Sequence, residues 1–398
     1  MDRKIPKIPC VICDAVEQEK ESIISFAQEL VRIQSVTGAE GEVAKSVARK
    51  MRELNYDKVI EDSAGNVLGI VGSGETKILF DSHMDTVEVT DASAWTYPPF
   101  GGEIHEGRLY GRGAVDMKGS LAVTVYVGAV AKRLGLLDGK TLYISASTLE
   151  EDYDGEMVAR VLREWEIRPD HVIIGEATDL NIGYGHRGRA LIKITVNGRA
   201  THGSKPELGI NPVYTLQHVI GRIEILANFL DSQTKEKGSV AITRIGCVTA
   251  SDNSVPDSAY IILDRRLSIQ ENMDTIRAEM EEVCRGVDGA WEICDVPGVS
   301  WTGVPVTLHS YLPAWEISME EKLVKKAREA CRTVLGREVI CFKPGYSTNA
   351  AVTAGIFHIP TIILGPGDMS VAHRTDEYCE VKALLQACEI YLHLCEKL

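Results

Sequence analysis

The sequence predicts an α/β protein: a mostly parallel-sheet catalytic domain with helices on both faces, interrupted by an inserted α+β domain. Short apolar runs typical of buried strands alternate with longer segments in which apolar residues recur at helical spacing, as in a parallel sheet. Near Arg187 the pattern changes to alternating strands in the order βαββαβ, which is typical of a small sandwich domain. From about Glu316 the first pattern returns.

The first part of the chain supplies most elements of the catalytic domain. Residues 15–54 are predicted to form two helices separated by a loop at Thr37–Gly38, because their apolar residues recur every three or four positions. The elements predicted after them are strands 67–71, 77–80, 141–146 and 171–174, and helices 119–130 and 155–165.

The later elements define the predicted domain limits. The inserted domain is expected to contain strand 190–196, helix 212–230, strands 239–248 and 258–267, helix 273–287 and strand 290–294. The catalytic domain then resumes with helix 318–335, strand 360–364 and helix 381–397. We therefore expect a catalytic domain over 1–187 and 303–398, and an inserted domain over 188–302.

Composition excludes several classes of protein. The chain has 398 residues, 44% of them hydrophobic and 25% charged, which is globular rather than disordered or fibrous. Its net charge of −14 argues against nucleic acid or an anionic membrane as the main partner. The chain has no apolar run of transmembrane length, and Met1–Lys20 lacks the apolar region of a secretory signal. We therefore expect a cytoplasmic protein with reduced cysteines, in which the pair Cys10 and Cys13 is too isolated to indicate a metal site.

Histidine and carboxylate side chains follow the predicted strands of the catalytic domain. The positions are His83 with Asp85, Glu150 with Glu151, Glu176 and His373, and Asp116 precedes a predicted helix. In open α/β sheets, ligands bind in the crevice at the carboxyl ends of the strands. We therefore expect these side chains to meet in one crevice.

The chemistry of this set fits a metal site. Imidazole nitrogens and carboxylate oxygens bind zinc at about 2.0–2.2 Å, and a bridging carboxylate can hold two ions about 3.5–4 Å apart. Of the adjacent pair Glu150–Glu151, one carboxylate can bind metal while the other acts as general base. Asp85 could accept the second ring N–H of His83.

These motifs together resemble the dinuclear zinc metallohydrolase family of acetylornithine deacetylase, succinyl-diaminopimelate desuccinylase, aminoacylase and carboxypeptidase G. Within that family the sequence is most similar to the branch of selenium-metabolism-associated hydrolases. The resemblance extends from about Ser22 to Glu380, with the motifs in the family's order. It implies that one metal ion is bound by His83 and Glu176, the other by Glu151 and His373, and both by Asp116.

The resemblance also implies roles beyond the metal ligands. Glu150 would be the general base that takes a proton from the metal-bridging water, and Asp85 would orient His83. In the inserted domain, His202 resembles a lid histidine that reaches the active site of a partner subunit and stabilises the oxyanion. Asn253 and Arg266 resemble the residues that bind the substrate near its carboxylate.

The implied function is a metal-dependent amide hydrolase that cleaves an N-acyl amino acid or a short peptide. The resemblance implies two divalent ions per chain, preferably Zn²⁺, with Co²⁺ or Mn²⁺ as alternatives that use the same ligand types. It also implies a homodimer formed through the inserted domain. The residues leave open a dipeptidase or carboxypeptidase, an N-carbamoyl amino acid hydrolase and, from another class, a non-catalytic metal-binding scaffold. Glu at position 176 resembles the deacylase and carboxypeptidase branch more than the dipeptidase branch.

Overall fold

The structure is a computed structural model that describes residues 11–233 and 237–398. Cys10 lies outside these residues, so the CxxC pair stays a sequence observation. Within the described residues, the α-helices are α1 (Val11–Arg32), α2 (Gly41–Glu53), α3 (Lys118–Arg133), α4 (Glu156–Glu164), α5 (Pro212–Ser232), α6 (Met273–Val283), α7 (Lys322–Leu335), α8 (Ala350–Thr353) and α9 (Val381–Lys397).

The β-strands belong to two main sheets and several two- or three-stranded ones. They are β1 (Lys58–Glu61), β2 (Val67–Gly72), β3 (Thr76–His83), β4 (Glu103–His105), β5 (Arg108–Tyr110), β6 (Lys140–Ser147), β7 (His171–Ile174), β8 (Ile182–Gly183), β9 (Gly185–His186), β10 (Gly188–Asn197), β11 (Thr201–His202), β12 (Ser239–Val248), β13 (Ser254–Val255), β14 (Ser258–Leu267), β15 (Gly289–Ile293), β16 (Asp295–Val299), β17 (Pro305–His309), β18 (Tyr311–Leu312), β19 (Trp315–Glu316), β20 (Cys341–Phe342), β21 (Thr361–Ile363) and β22 (Tyr378–Glu380).

The larger sheet has the strand order β1-β2-β6-β3-β7-β21-β8-β20. Its central strands β6, β3, β7 and β21 are parallel to one another, whereas β1 and β2 are antiparallel at one edge. Parallel strands end at the same edge of a sheet, so the residues that follow β3, β6 and β7 come close together.

Helices cover both faces of this sheet, as the sequence predicts. On one face, α1, α2, α3, α7 and α9 contribute side chains to the largest hydrophobic core, and α9 is buried along most of its length. On the other face, α4 and α8 pack over a second core. The predicted fold class is confirmed. Some elements end elsewhere than predicted, such as α6, which ends at Val283 rather than at residue 287, and the β4–β5 and β16–β17 hairpins were not predicted.

The smaller sheet is antiparallel, with the order β12-β14-β10-β15, and β18 also pairs with β10. Side chains along β10 alternate between buried and half-buried, because α5 and α6 cover one face of the sheet. The order β10-α5-β12-β14-α6-β15 is the predicted βαββαβ pattern. The limits 188–302 stay a prediction, and the strands of this sheet lie between Gly188 and Leu312.

Candidate metal centre

Three neighbouring parallel strands bring the predicted acidic residues and histidine together. His83 is the last residue of β3, Glu150 and Glu151 follow β6, and Glu176 follows β7. Asp116 precedes α3 and enters the same crevice from the side. The local reason is the strand order, since β6, β3 and β7 are adjacent and point in one direction.

His83 forms the buried half of the centre. Its Nε2 atom lies 3.0 Å from Asp116 Oδ1 and 3.3 Å from Glu176 Oε1. Glu150 Oε2 is somewhat further from the same nitrogen, at 3.9 Å. The three carboxylates therefore surround one imidazole nitrogen, and Glu150 is the most distant of them.

His373 forms the open half. Its Nε2 atom lies 3.1 Å from Asp116 Oδ2 and 3.2 Å from Glu151 Oε2, and its side chain is half exposed. The two carboxylate oxygens of Asp116 thus face different histidines. This geometry fits a carboxylate that bridges two ions, with His83 and Glu176 on one side and Glu151 and His373 on the other.

The charges of this crevice fit divalent cations. Burial raises the pKa of Glu176 to about 7, and it also raises the pKa values of Glu150 and Glu151. Glu151 Oε1 and Glu176 Oε2 are buried and have no hydrogen-bond partner among the described residues. Because buried charges need compensation, a set of oxygens and imidazole nitrogens this close together suits Zn²⁺ or a similar ion.

Asp85 lies beside His83 and also contacts the loop that follows β6. The Nδ1 atom of His83 lies 3.0 Å from the main-chain carbonyl oxygen of Asp85 and 3.5 Å from its carboxylate. The carboxylate also accepts hydrogen bonds from the backbone N–H groups of Glu150 and Glu151, both at 3.0 Å. Asp85 therefore holds the loop that carries the predicted base and a predicted ligand, in addition to facing the histidine.

Glu377 is a buried residue without a role in the sequence analysis. Its Oε1 atom accepts hydrogen bonds from the N–H groups of Val115 and Asp116, at 3.0 and 3.2 Å. Its Oε2 atom pairs with Arg112 at 2.5 Å. Glu377 thus holds the backbone at Asp116, whose carboxylate lies between the two histidines. It follows His373 by four positions, so an acidic residue near a predicted ligand was the available signal.

A cavity of about 420 Å³ opens beside the centre. Arg266 lines it, as expected for a residue that binds a substrate carboxylate, and Arg187 and Arg189 line it as well. Asp264 accepts hydrogen bonds from Arg266, at 2.7 and 3.2 Å, and from Arg189 at 3.2 Å. The sequence analysis did not single out Arg187 and Arg189, which lie around the start of β10.

His202 and Asn253 do not line this cavity in their own chain. They lie together at the short β11–β13 pair, where the N–H of Gly203 donates to the carbonyl oxygen of Asn253 at 2.6 Å. His202 is exposed, and its Nδ1 atom lies 2.7 Å from Ser204 Oγ. The structure therefore gathers the metal-ligand candidates and Arg266 in one crevice and leaves these two residues apart.

Comparison with known proteins agrees with this geometry. Residues 79–397 match the family described as "Peptidase family M20/M25/M40". The chain belongs to this family. It is 30% identical over 386 residues to the uncharacterized protein YgeY of Escherichia coli K12, covering 96% of this chain and 95% of YgeY. It is 26% identical over 393 residues to the acetylornithine deacetylase of Buchnera aphidicola, covering 90% and 93%.

A solved structure shows the same fold at lower identity. The YXEP protein of Bacillus subtilis, described as a dinuclear metal binding peptidase of the M20 family, superposes with a TM-score of 0.68. Its identity is 15%, and the match covers 96% of this chain and 98% of YXEP. Membership of the M20 family makes the chain a hydrolase of amide bonds. Within residues 11–233 and 237–398, none of the helices combines the length and apolar character needed to cross a membrane.

Proposed function

We propose that this M20 protein is a dinuclear metal-dependent hydrolase that removes the acyl group from an N-acyl amino acid or cleaves a short peptide. The observation that carries this proposal is the position of Asp116, whose two oxygens lie 3.0 and 3.1 Å from the nitrogens of two different histidines. A single ion would not need a carboxylate placed between two donor sets. The selenium-metabolism-associated branch and the cytoplasmic location stay predictions within this proposal.

The proposed ligands are His83 and Glu176 for one ion, Glu151 and His373 for the other, and Asp116 for both. Zn²⁺ is the proposed ion, and Co²⁺ or Mn²⁺ would accept the same nitrogen and oxygen donors. The description of YXEP as a dinuclear metal binding peptidase supports the count of two. When bound, the ions supply Lewis acidity toward the substrate carbonyl and lower the pKa of water.

Glu150 is the proposed general base. It is buried, it lies further from His83 than the two proposed ligands do, and Asp85 holds its backbone N–H. Its carboxylate would take a proton from the attacking water and return it to the leaving amine. Burial favours its neutral form, and a carboxyl that gains and loses a proton in one cycle needs such an environment.

Arg266 is proposed to bind a substrate carboxylate, because a guanidinium can meet it with two parallel hydrogen bonds. Arg187 and Arg189 add positive charge to the same cavity wall. Once the metal charges balance the acidic ligands, these arginines favour an anionic substrate. An N-acyl amino acid and a peptide with a free carboxyl terminus both satisfy this condition.

His202 is proposed to stabilise the oxyanion in the active site of a partner subunit, with Asn253 beside it. Two observations support a homodimer formed through the inserted domain. His202 does not line the cavity of its own chain, and the domain exposes apolar side chains on one helix and one edge strand. On α5 these are Tyr214, Ile225 and Phe229, and on β12 they are Ile245 and Val248.

The first test assays amine release by zinc-reconstituted protein from N-acetyl, N-succinyl and N-carbamoyl amino acids and from dipeptides. We expect turnover of at least one N-acyl substrate, and we expect Glu150→Ala to abolish it while two ions per chain remain bound. Release from dipeptides alone would favour the dipeptidase or carboxypeptidase alternative, and release from N-carbamoyl substrates alone would favour that hydrolase. Two bound ions with no turnover of any substrate would favour the non-catalytic scaffold. Substantial activity of Glu150→Ala would refute the assignment of the base.

A second test addresses the shared site. His202→Ala and Glu150→Ala are each expected to be inactive as homodimers. Mixed subunits should recover about a quarter of the wild-type activity, because random exchange gives half heterodimers, each with one complete site. If His202 acted within its own chain, the mixture would stay as inactive as its components.

A further inference from the structure

The hairpin formed by β16 and β17 projects from the smaller sheet toward the catalytic domain. We call residues Asp295–His309 the arm. Its base is joined to β10 of the smaller sheet by two backbone hydrogen bonds, from Cys294 N–H to the carbonyl oxygen of Leu191 at 2.9 Å and from Leu191 N–H to the carbonyl oxygen of Ser310 at 3.0 Å. The base of the arm is therefore part of the inserted domain, while its far end contacts residues 63–65 of the catalytic domain.

The tip of the arm fits a seat made by two glycines. The Nε1–H of Trp301 donates to the carbonyl oxygen of Gly65 at 3.3 Å, and Thr302 Oγ1 donates to the carbonyl oxygen of Ser63 at 2.7 Å. A Cβ atom at Gly65 would lie 2.0 Å from the Trp301 ring, and one at Gly41 would lie 2.9 Å from it. The ring thus occupies space that any larger residue at these positions would fill.

The side of the arm packs against the loop that carries Glu150 and Glu151. Val306 of the arm is buried in a small apolar cluster with Leu149, which precedes this pair. The hydroxyl of Tyr153, which follows the pair, donates to the carbonyl oxygen of Pro297 at 3.0 Å. The arm therefore contacts the loop on both sides of the two carboxylates.

The loop needs such support because its backbone is strained. Leu149 has φ of 59°, a left-handed conformation that costs free energy for a residue with a branched side chain. From the catalytic domain, Glu40 accepts a hydrogen bond from Leu149 N–H at 3.0 Å. Strained backbone persists when several surrounding groups determine it together. Val306 of the arm is one of the groups that surround Leu149, and it lies more than 150 positions later in the chain.

We propose that the arm positions the Glu150–Glu151 loop, so that the placement of the inserted domain determines whether the carboxylates have their active geometry. Trp301 is the principal positioning residue, because its ring packs against Gly41 and Gly65 and so holds the arm on the catalytic domain. This proposal rests on the proposed function only in giving Glu150 and Glu151 their roles. The claim about the loop itself can be measured without turnover.

The first experiment measures hydrogen–deuterium exchange of residues 148–154 in metal-free protein. The N–H groups of Leu149, Glu150, Glu151 and Tyr153 are all hydrogen-bonded, so slow exchange is expected in the wild type. Trp301→Ala should speed their exchange about tenfold or more while leaving β6 unchanged. Trp165→Ala is the matched control, because Trp165 is half exposed and lies on the catalytic domain away from the arm. Unchanged exchange of the loop in Trp301→Ala would overturn the proposal.

The second experiment separates positioning from general destabilisation. In the zinc-loaded enzyme, Trp301→Ala should lower kcat about tenfold or more with KM within about twofold, because the loop carries the proposed base and a proposed ligand, whereas Arg266, the proposed substrate-binding residue, lies outside it. Trp301→Phe keeps the ring in the glycine seat and should recover most of the loss. A change confined to KM would overturn the proposal, and it would assign the arm to the cavity of about 400 Å³ that it forms beside Glu151.

A double-mutant cycle tests the same contact from the opposite side. Gly41→Ala places a methyl group against the Trp301 ring. As a single substitution it should lower kcat, and in the Trp301→Ala background it should cause no further loss of kcat. Additive losses would show that the two residues act separately and would refute the seat. The activity of Glu150→Ala tests the proposed function separately from the arm. If that variant stayed active, the assigned base would be wrong whatever the arm variants did.

Discussion

The carboxylate of Asp85 contacts the Glu150–Glu151 loop, and its substitution should change both the stability of the protein and its kcat. It is fully buried, and it accepts hydrogen bonds from the backbone N–H groups of Glu150 and Glu151 and from Thr37 Oγ1 at 2.9 Å. Asp85→Asn preserves its shape but replaces one acceptor oxygen with an NH₂ group. The Thr37 hydroxyl can rotate to accept from that NH₂ group, whereas a backbone N–H cannot.

The magnitude follows from this count. One charge-assisted hydrogen bond is lost and one buried N–H loses its partner, so we expect a destabilisation of about 2–4 kcal/mol. For a domain of this size, roughly 1.5–2 °C of melting temperature corresponds to each kcal/mol, which gives a fall of roughly 3–8 °C. Because the affected N–H belongs to the loop that carries Glu150, we also expect kcat to fall about a hundredfold.

Thermal unfolding of metal-free protein measures the first effect, and steady-state kinetics of the zinc enzyme measure the second. Asp170→Asn is the control, since Asp170 also accepts a backbone hydrogen bond, from Lys77 N–H at 2.8 Å, but is exposed. Its melting temperature should change by less than about 2 °C, because solvent can replace the lost bond. An Asp85→Asn protein that melts with the wild type and keeps its kcat would refute this account of the loop.

Two other predictions concern groups outside the loop. Glu377→Gln removes the charge that pairs with Arg112 and holds Asp116, so zinc affinity should fall about 10- to 100-fold by competition with a chelator; unchanged affinity would contradict this role. Burial lowers the pKa of His186 to about 4, below its usual value near 6.5, so folding favours its neutral form. The free energy of unfolding therefore depends on pH through His186, by at most about 3 kcal/mol. This stabilisation is fully present above pH 6.5 and is lost as the pH falls toward 4. The wild-type melting temperature should therefore decline across this range more steeply than that of His186→Gln, and parallel curves would refute it.

The ligand set could be read from the sequence because its geometry follows from strand order alone. His83 ends a parallel strand, and Glu151 and Glu176 lie within four residues after one. Adjacent parallel strands bring their carboxyl ends together whatever the conformation of the connecting loops. Asp116 and His373 required the order of motifs as well. By contrast, the role of Glu377 depends on its contact with Arg112, which is 265 positions earlier in the chain. Sequence periodicity does not indicate contacts between residues so far apart.

The contacts that position the Glu150–Glu151 loop could not be predicted from the sequence, and the reason is physical. In the sequence, Gly41 looks like the start of a helix and Gly65 like a turn, since glycine suits both positions without any partner. Their further role as the seat of the Trp301 ring exists only after residues more than two hundred positions apart have come together. The same holds for Leu149, whose left-handed backbone is stabilised by Val306 and Glu40 from two different parts of the chain. Residue types at strand ends thus identify the reaction, whereas the precision of the Glu150–Glu151 loop depends on tertiary contacts. A relative could keep every proposed ligand and still lose rate through a substitution in the arm.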